Sequence, residues 1–195
     1  MNAKTQSFYR SKRFQFIAFA LLALSFIGFS ANAQLIDHQS RVNKTIPKAK
    51  KGDARAQSNL GVSYQEGWGV PQDYEEAAKW FRKAAEQGYA RAQYYLGILY
   101  ANGDGVPKNH VKSIKWFRKA AVQNLGVAQY KLGVFYKNGL GVSMNIQEAY
   151  FWLILAAENG TVAAGMINTL EKQLESEAIS KAQERVREWK INKGQ

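Results

Sequence analysis

Residues 54–88 read ARAQSNLGVSYQEGWGVPQDYEEAAKWFRKAAEQG, and the same pattern returns twice downstream at an offset of 36 residues. Ala56, Gln57, Leu60, Gly61, Tyr64, Gly67, Gly69 and Val70 are answered by Ala92, Gln93, Leu96, Gly97, Tyr100, Gly103, Gly105 and Val106. They return again as Ala128, Gln129, Leu132, Gly133, Tyr136, Gly139, Gly141 and Val142. The second half of the unit recurs too, Ala77, Trp80, Ala84 and Ala85 being matched by Ser113, Trp116, Ala120 and Ala121, then by Ala149, Trp152, Ala156 and Ala157. A fixed period of this length marks a repeat array, in which each unit buries its apolar face against its neighbours.

Within the unit, Ala56, Leu60 and Tyr64 fall at i, i+4 and i+8, one stripe of a helix. Ala77, Trp80, Phe81, Ala84 and Ala85 fall at i, i+3, i+4, i+7 and i+8, an amphipathic second helix. Glycine inside a helix costs about 1 kcal/mol relative to alanine, so Gly61, Gly97 and Gly133 imply close approach of the second helix. The tryptophan of the Trp80 type is expected to fill the space beyond. Asp73, Asn109 and Asn145 read as N-caps, with Glu76 and Glu148 completing capping boxes in the first and third units. Gly88, Asn124 and Gly160 stand where a left-handed C-terminal cap is needed.

The composite motif A-Q-x-x-L-G-x-x-Y-x-x-G-x-G-V-x-x-[DN] followed by A-x-x-W-x-x-x-A-A resembles the Sel-like repeat of the tetratricopeptide superfamily, over Ala54 to Gly160. The resemblance implies an all-α fold, a right-handed α/α solenoid of helix pairs, serving as a non-catalytic scaffold for protein or peptide partners. Units at 54–89, 90–125 and 126–161 follow from the period.

At the start of the chain, Lys4, Arg10, Lys12 and Arg13 precede an apolar run from Phe14 to Phe29, and Ala31-Asn32-Ala33 supplies an A-x-A site. This is the pattern of a signal peptide over 1–33, cleaved after Ala33, the run being shorter than the roughly 20 residues of a spanning helix. An uncleaved anchor is the alternative. The reading makes the mature protein periplasmic or secreted, without a transmembrane span. Cleavage would leave 23 basic against 15 acidic residues, a charge of +8 instead of the full chain's +12. On an exported protein that balance suits an acidic envelope surface or an acidic partner, not nucleic acid; the plainer reading is a solvated face. The chain has no cysteine, so neither a disulfide nor a lipid-modified cysteine is available.

Residues 34–53 align with the repeat only at Ala49 and Gly52, and read as a capping half-repeat with a short helix opened by Pro47. If the first helices line the inner curve, as the resemblance implies, the partner-binding groove is flanked by Arg55, Ser58, Val62, Gln65 and Glu66 in the first unit. Arg91, Tyr94, Ile98 and Asn102 flank it in the second, and Val127, Tyr130, Val134, Lys137 and Asn138 in the third. Arginine and tyrosine are enriched at binding hot spots, and asparagine can bond an extended backbone. Tyr94 and Tyr130 are equally readable as packing between adjacent units. On the second helices Lys79, Arg82 and Lys83, then Lys115, Arg118 and Lys119, form a basic face whose third-unit counterpart is Phe151, Ile154 and Leu155. That apolar face must be covered, by the chain's own C-terminal segment or else by a partner surface, by self-association with a second copy or by a membrane contact.

Residues 162–195 are expected to hold a degenerate unit, with a helix over Val162–Leu174, and a capping helix from Ser176. Ile179, Ala182, Val186 and Trp189 form its buried stripe, and Glu184, Arg185, Arg187 and Glu188 its outward face. No cofactor or metal is expected, since His38 and His110 are isolated and the G-x-G pairs follow no strand. An exported binding scaffold is thus the leading reading; a basic envelope-surface or membrane-surface structural protein is the alternative, and a cell-wall enzyme a minor one.

Overall fold

The computed structural model describes residues 36–193, so the expected leader, 1–33, together with residues 34–35 and 194–195, lies outside the described residues. Residues 36–50 form α1. Then follow α2 (Ala54–Glu66), α3 (Tyr74–Glu86), α4 (Ala90–Asn102), α5 (His110–Ala121), α6 (Gly126–Asn138), α7 (Ile146–Glu158), α8 (Ala164–Glu171) and α9 (Ser176–Asn192). Each helix from α2 to α7 packs on the next in chain order, and α7 is covered by α8 and α9. This nearest-neighbour stacking is an all-α solenoid of helix pairs.

Local chemistry sets the ends of the helices. The Asp73 carboxylate accepts from the N–H groups of Glu75 and Glu76, the Asn109 side chain from Lys112, and that of Asn145 from Glu148. The reciprocal half of the expected capping boxes does not form. Instead the cap residue's own N–H closes the preceding turn, from Asp73 to the Tyr64 carbonyl at 2.8 Å, Asn109 to Tyr100 at 2.8 Å and Asn145 to Tyr136 at 2.9 Å. Glu76 is left to pair with Lys79 at 2.6 Å and Glu148 with Arg185 at 2.7 Å. Gly88, Asn124 and Gly160 adopt the left-handed conformation expected of them, with φ of 88°, 62° and 78°.

The helix glycines do admit close approach, but the residue that fills the space differs from expectation. A Cβ on Gly61 or Gly97 would lie 2.7 Å from the ring of Phe81 or Phe117, and on Gly133 2.7 Å from Leu153. Trp80 stands about 100° of helix rotation from Phe81, and packs instead on Val42, Ala49, Ala56 and Leu60 of the preceding elements. Trp116 likewise leans on the cluster around Ala77 and Leu96.

Helix α1 is the second helix of a preceding half-unit. The second turn glycine of each repeat lies against the start of the preceding second-type helix: Gly69 on the His38 backbone, Gly105 on Tyr74 and Gly141 on His110, all in one 36-residue register. Val42 and Ala49 bury the inner side of α1, so the helix extends well before Pro47. Pro47 sits in its last turn and does not open it, at the loss of one backbone bond.

A buried amide ties the units together. Gln57 donates to the Ala49 carbonyl of α1 at 3.1 Å and accepts from Gln87, beyond α3, at 2.6 Å. Gln93 repeats this with Ala85 and Gln123, and Gln129 with Ala121 and Asn159.

At the C-terminal end α7 is apolar nearly all round, and α8 and α9 cover it. Phe151 and Leu155 are 4% and 1% exposed and Ile154 is half-buried, so the proposed self-association patch is closed within the chain. Trp189 stacks edge-on to Trp152 and Phe151, and its indole N–H donates to the Asn124 side chain at 3.1 Å. The asparagine that departs from glycine at this cap position is therefore an acceptor as well as a left-handed residue. Helix α8 is shorter than the expected Val162–Leu174, and its N-terminus lacks a side-chain cap. Arg185 does not point outward as expected: it pairs with Glu148 and lies 4.3 Å over the Phe151 ring.

Three outcomes test this packing. Gly105→Ala would place a Cβ 2.2 Å from the Tyr74 backbone, whereas Gly88→Ala meets nothing within 4 Å. Both incur about 1–2 kcal/mol for a left-handed alanine, and Gly105→Ala loses clearly more in urea unfolding. Gln93→Leu removes two hydrogen bonds, one to the Ala85 carbonyl and one from the Gln123 side chain, and at about 0.5–1.5 kcal/mol each lowers stability by about 1–3 kcal/mol in the same measurement. Burial, then the hydrogen bond to Glu171, pushes Tyr150 up to about 12. Its stabilisation is complete below the unfolded value of about 10 and is lost as pH rises from there through 12. Tyr150→Phe removes that part of the alkaline slope in unfolding curves taken across this range.

Candidate binding cleft

The most distinctive hollow opens between α1, α2 and α4, with a volume of about 520 Å³. Its wall comprises His38, Arg41, Val42, Lys44 and Thr45 from α1, Asn59, Val62 and Ser63 from α2, Trp68 from the following turn, and Arg91 and Tyr95 from α4.

The repeat register explains why a cleft exists here. Between the first two full units Phe81 on α3 stacks on Tyr95 of α4, with ring centroids 4.9 Å apart. One period earlier those two positions are Thr45 and Asn59, and both line the cleft. Two rings that close one junction are replaced by short polar side chains at the other.

Its wall is one-sided in charge, as is that of a hollow beside α5, where Arg118 is bonded to Tyr136 and Lys119 lies over Trp116. Arg41, Lys44 and Arg91 are exposed cations on its wall, and none of the lining residues is acidic. Arg41 pairs with Asp37 at 2.8 Å, but both side chains remain largely exposed, so the pair is weak and exchangeable. Trp68 stands at a turn position taken by Asp104 and Leu140 in the other units; it is 49% exposed and stacks on His38 at 5.4 Å. A large aromatic left half in water beside cations is the type of residue that anchors a partner.

The expected groove residues separate into distinct environments. Arg91 belongs to the cleft, with Val62, while Arg55, Asn102 and Asn138 are exposed. Tyr94, Ile98 and Tyr130 are half-buried against the core of the later units, so packing takes much of their surface. Burial, with Tyr95 alongside, raises the Tyr94 hydroxyl above its ordinary pKa. Val134 and Lys137 are partly covered. Ser58 is fully buried, its Oγ without a hydrogen-bond partner, and cannot line a groove. At the register of Tyr94 and Tyr130, a serine is too short to reach that surface.

Of the six cations on the basic face of the second helices, four are engaged by aromatic side chains, whereas Lys79 pairs with Glu76 and Lys115 is exposed. Lys83 lies 4.3 Å over Trp80 and Lys119 4.4 Å over Trp116. Arg82 donates to the Tyr100 hydroxyl and Arg118 to that of Tyr136. The hollow beside α5 is lined by Val111, Ile114 and Val142 with a basic rim, and another between α7 and α9 holds the Glu148–Arg185 pair.

The family model for the Sel1 repeat matches residues 54–89, 90–125 and 126–161, more than half of the chain. The chain belongs to the Sel1 repeat family. A comparison with curated proteins finds no match. Among solved structures, it is similar to c5321, a protective antigen present in uropathogenic Escherichia coli strains and displaying an SLR fold. Identity is 44% and the TM-score 0.59, over 61% of this chain and 26% of that one. A Sel1 repeat protein from Oxalobacter formigenes matches at 45% identity and a TM-score of 0.54, over 55% of this chain and 43% of that one. This chain therefore spans less than half the length of either. Helicobacter pylori cysteine rich protein B, at 22% identity and a TM-score of 0.55 over 66% of this chain and 96% of that one, shares the fold. Sel1 repeat proteins are typically non-catalytic scaffolds for protein interaction.

The α1 residues of the cleft, and Asn59, Ser63, Trp68 and Tyr95, were not among the residues singled out from the sequence. Trp68 carried a legible signal, as the one aromatic in a turn whose counterparts are Asp104 and Leu140. Among the described residues, no helix is long and apolar enough to cross a membrane, and no group of three or more acidic or histidine side chains is placed to hold a metal ion.

Proposed function

We propose that this Sel1 repeat protein is an exported scaffold that holds a peptide or protein partner on the layer of its first helices, in a periplasmic or secreted setting. The observation that carries the reading is the division of labour within each unit. Positions that recur build the core, whereas accessible first-helix positions change from unit to unit, as Asn59, Tyr95 and Lys131 do at one register and Gln65, Ala101 and Lys137 at another. A face that is structurally repetitive and chemically varied suits recognition of an extended segment. Family membership supports the binding role, and the leader-like sequence at 1–33 supports export. The Escherichia coli relative's description as a protective antigen is in keeping with that location. Engagement of four of the second-helix cations by Trp80, Trp116, Tyr100 and Tyr136 weighs against the alternative of a basic membrane-surface protein.

Two measurements test the proposal. Expressed with its own N-terminus in a bacterial host, the protein is expected outside the cytoplasm, with a mature form starting at Gln34 by mass spectrometry. A cytoplasmic, uncut chain refutes export. Crosslinking capture from an envelope extract is expected to recover a protein whose yield falls at least about tenfold when Arg55, Asn102 and Asn138 are changed to alanine. Capture that survives this change, but falls when Lys79 and Lys115 become glutamate, places binding on the opposite helices.

A further inference from the structure

We infer that the cleft between α1, α2 and α4 is a subsite for an acidic peptide segment, its carboxylates met by Arg41, Lys44 and Arg91 and a neighbouring apolar side chain by Trp68 and Tyr95. This deepens the scaffold reading and rests on it. The cleft's volume, about 520 Å³, lies within the roughly 300–1,000 Å³ of sites that enclose small ligands or a few side chains.

Three features select this occupant. Three cations and no carboxylate on the wall favour an anion, and arginine's planar fork suits a carboxylate. In the place where two rings close the next junction, Asn59 brings an amide and Thr45 a hydroxyl. The Thr45 and Ser63 hydroxyls donate to the Arg41 and Asn59 carbonyls of their own helices and keep their oxygens as acceptors for peptide N–H groups. The half-exposed Trp68 and the partly buried Tyr95 add aromatic surface beside the charges, which a polyanion of sugar or phosphate alone would leave unused. The chain's own N-terminal stretch is an unsuitable occupant, since residues 1–13 carry four basic and no acidic residues.

The probe is a fluorescein-labelled eight-residue peptide of aspartate and glutamate with one central leucine, titrated with the full-length protein. A peptide of the same length with lysine at the acidic positions, and vesicles of phosphatidylglycerol, serve as comparisons. Binding by the acidic peptide alone is expected, weakening as salt shortens the screening length from about 10 Å at 0.1 M towards 3 Å at 1 M. Changing Arg41, Lys44 and Arg91 to glutamine is expected to weaken it about tenfold or more with the helical circular dichroism and thermal midpoint retained. Trp68→Phe should abolish most of the tryptophan fluorescence change on binding.

Equal binding of the lysine peptide, or unchanged affinity in the triple glutamine variant, overturns the inference. So does vesicle binding that is as tight and is lost with the same three substitutions, which would make the cleft a general anion surface. Failure here with partner capture still lost in the Arg55, Asn102 and Asn138 variant leaves the scaffold reading standing. Acidic-peptide binding without any captured protein supports the subsite and counts against the broader reading.

Discussion

A buried glutamine side chain with both ends satisfied holds this stack together. Gln57, Gln93 and Gln129 each sit on a first helix, at 5% exposure or less, donating to a carbonyl at the end of the preceding second helix and accepting from an amide just beyond the following one. One side chain thereby joins three successive helices. A buried amide is costly to leave unpaired, so the geometry that satisfies it is specified more sharply than apolar contact alone would specify it. The apolar rings can slide on one another; the amide has one register in which all its partners are within reach. Repetition of that register every 36 residues keeps the helix pairs in step.

Around this amide the two helix types have different freedoms. Second helices are held on both sides: Phe81 and Phe117 press into Gly61 and Gly97, while Trp80 and Trp116 reach the preceding unit and carry Lys83 and Lys119 over their outer faces. At the third unit the lysine is replaced by Leu155, and Trp189 of α9 supplies the cover over Trp152. The C-terminal helix thus closes the array where the basic face would otherwise continue. First helices have their recurring residues turned inward and leave varied positions outside, which is where recognition can evolve without disturbing the stack.

The cleft illustrates how a repeat array acquires a site. No new element is inserted; two aromatic positions, Phe81 and Tyr95, have polar counterparts, Thr45 and Asn59, at the first junction. Loss of that stack leaves a hollow, and the neighbouring cations and Trp68 decide what can enter. Much of this was available to alignment by period, but only once α1 was known to be a second-type helix. The sequence match in 34–53 was limited to Ala49 and Gly52, too little to place Thr45 opposite Asn59.

By itself the sequence determined the periodic part of this protein. The helix pairs, the asparagine and aspartate caps, the left-handed residues at Gly88, Asn124 and Gly160, and the need to cover Phe151 and Leu155 all depend on neighbours a few residues away or on the period itself. Tertiary structure decided what depends on direction in space. It chose Phe81 over Trp80 to face Gly61, sent Glu148 to Arg185 across the cap in place of its own helix end, buried Ser58, and set α1 against α2 and α4 to form the cleft. The physical reason is that helical spacing assigns a residue to a stripe about 100° wide, whereas contacts between helices depend on which edge of that stripe a side chain occupies and what stands across from it.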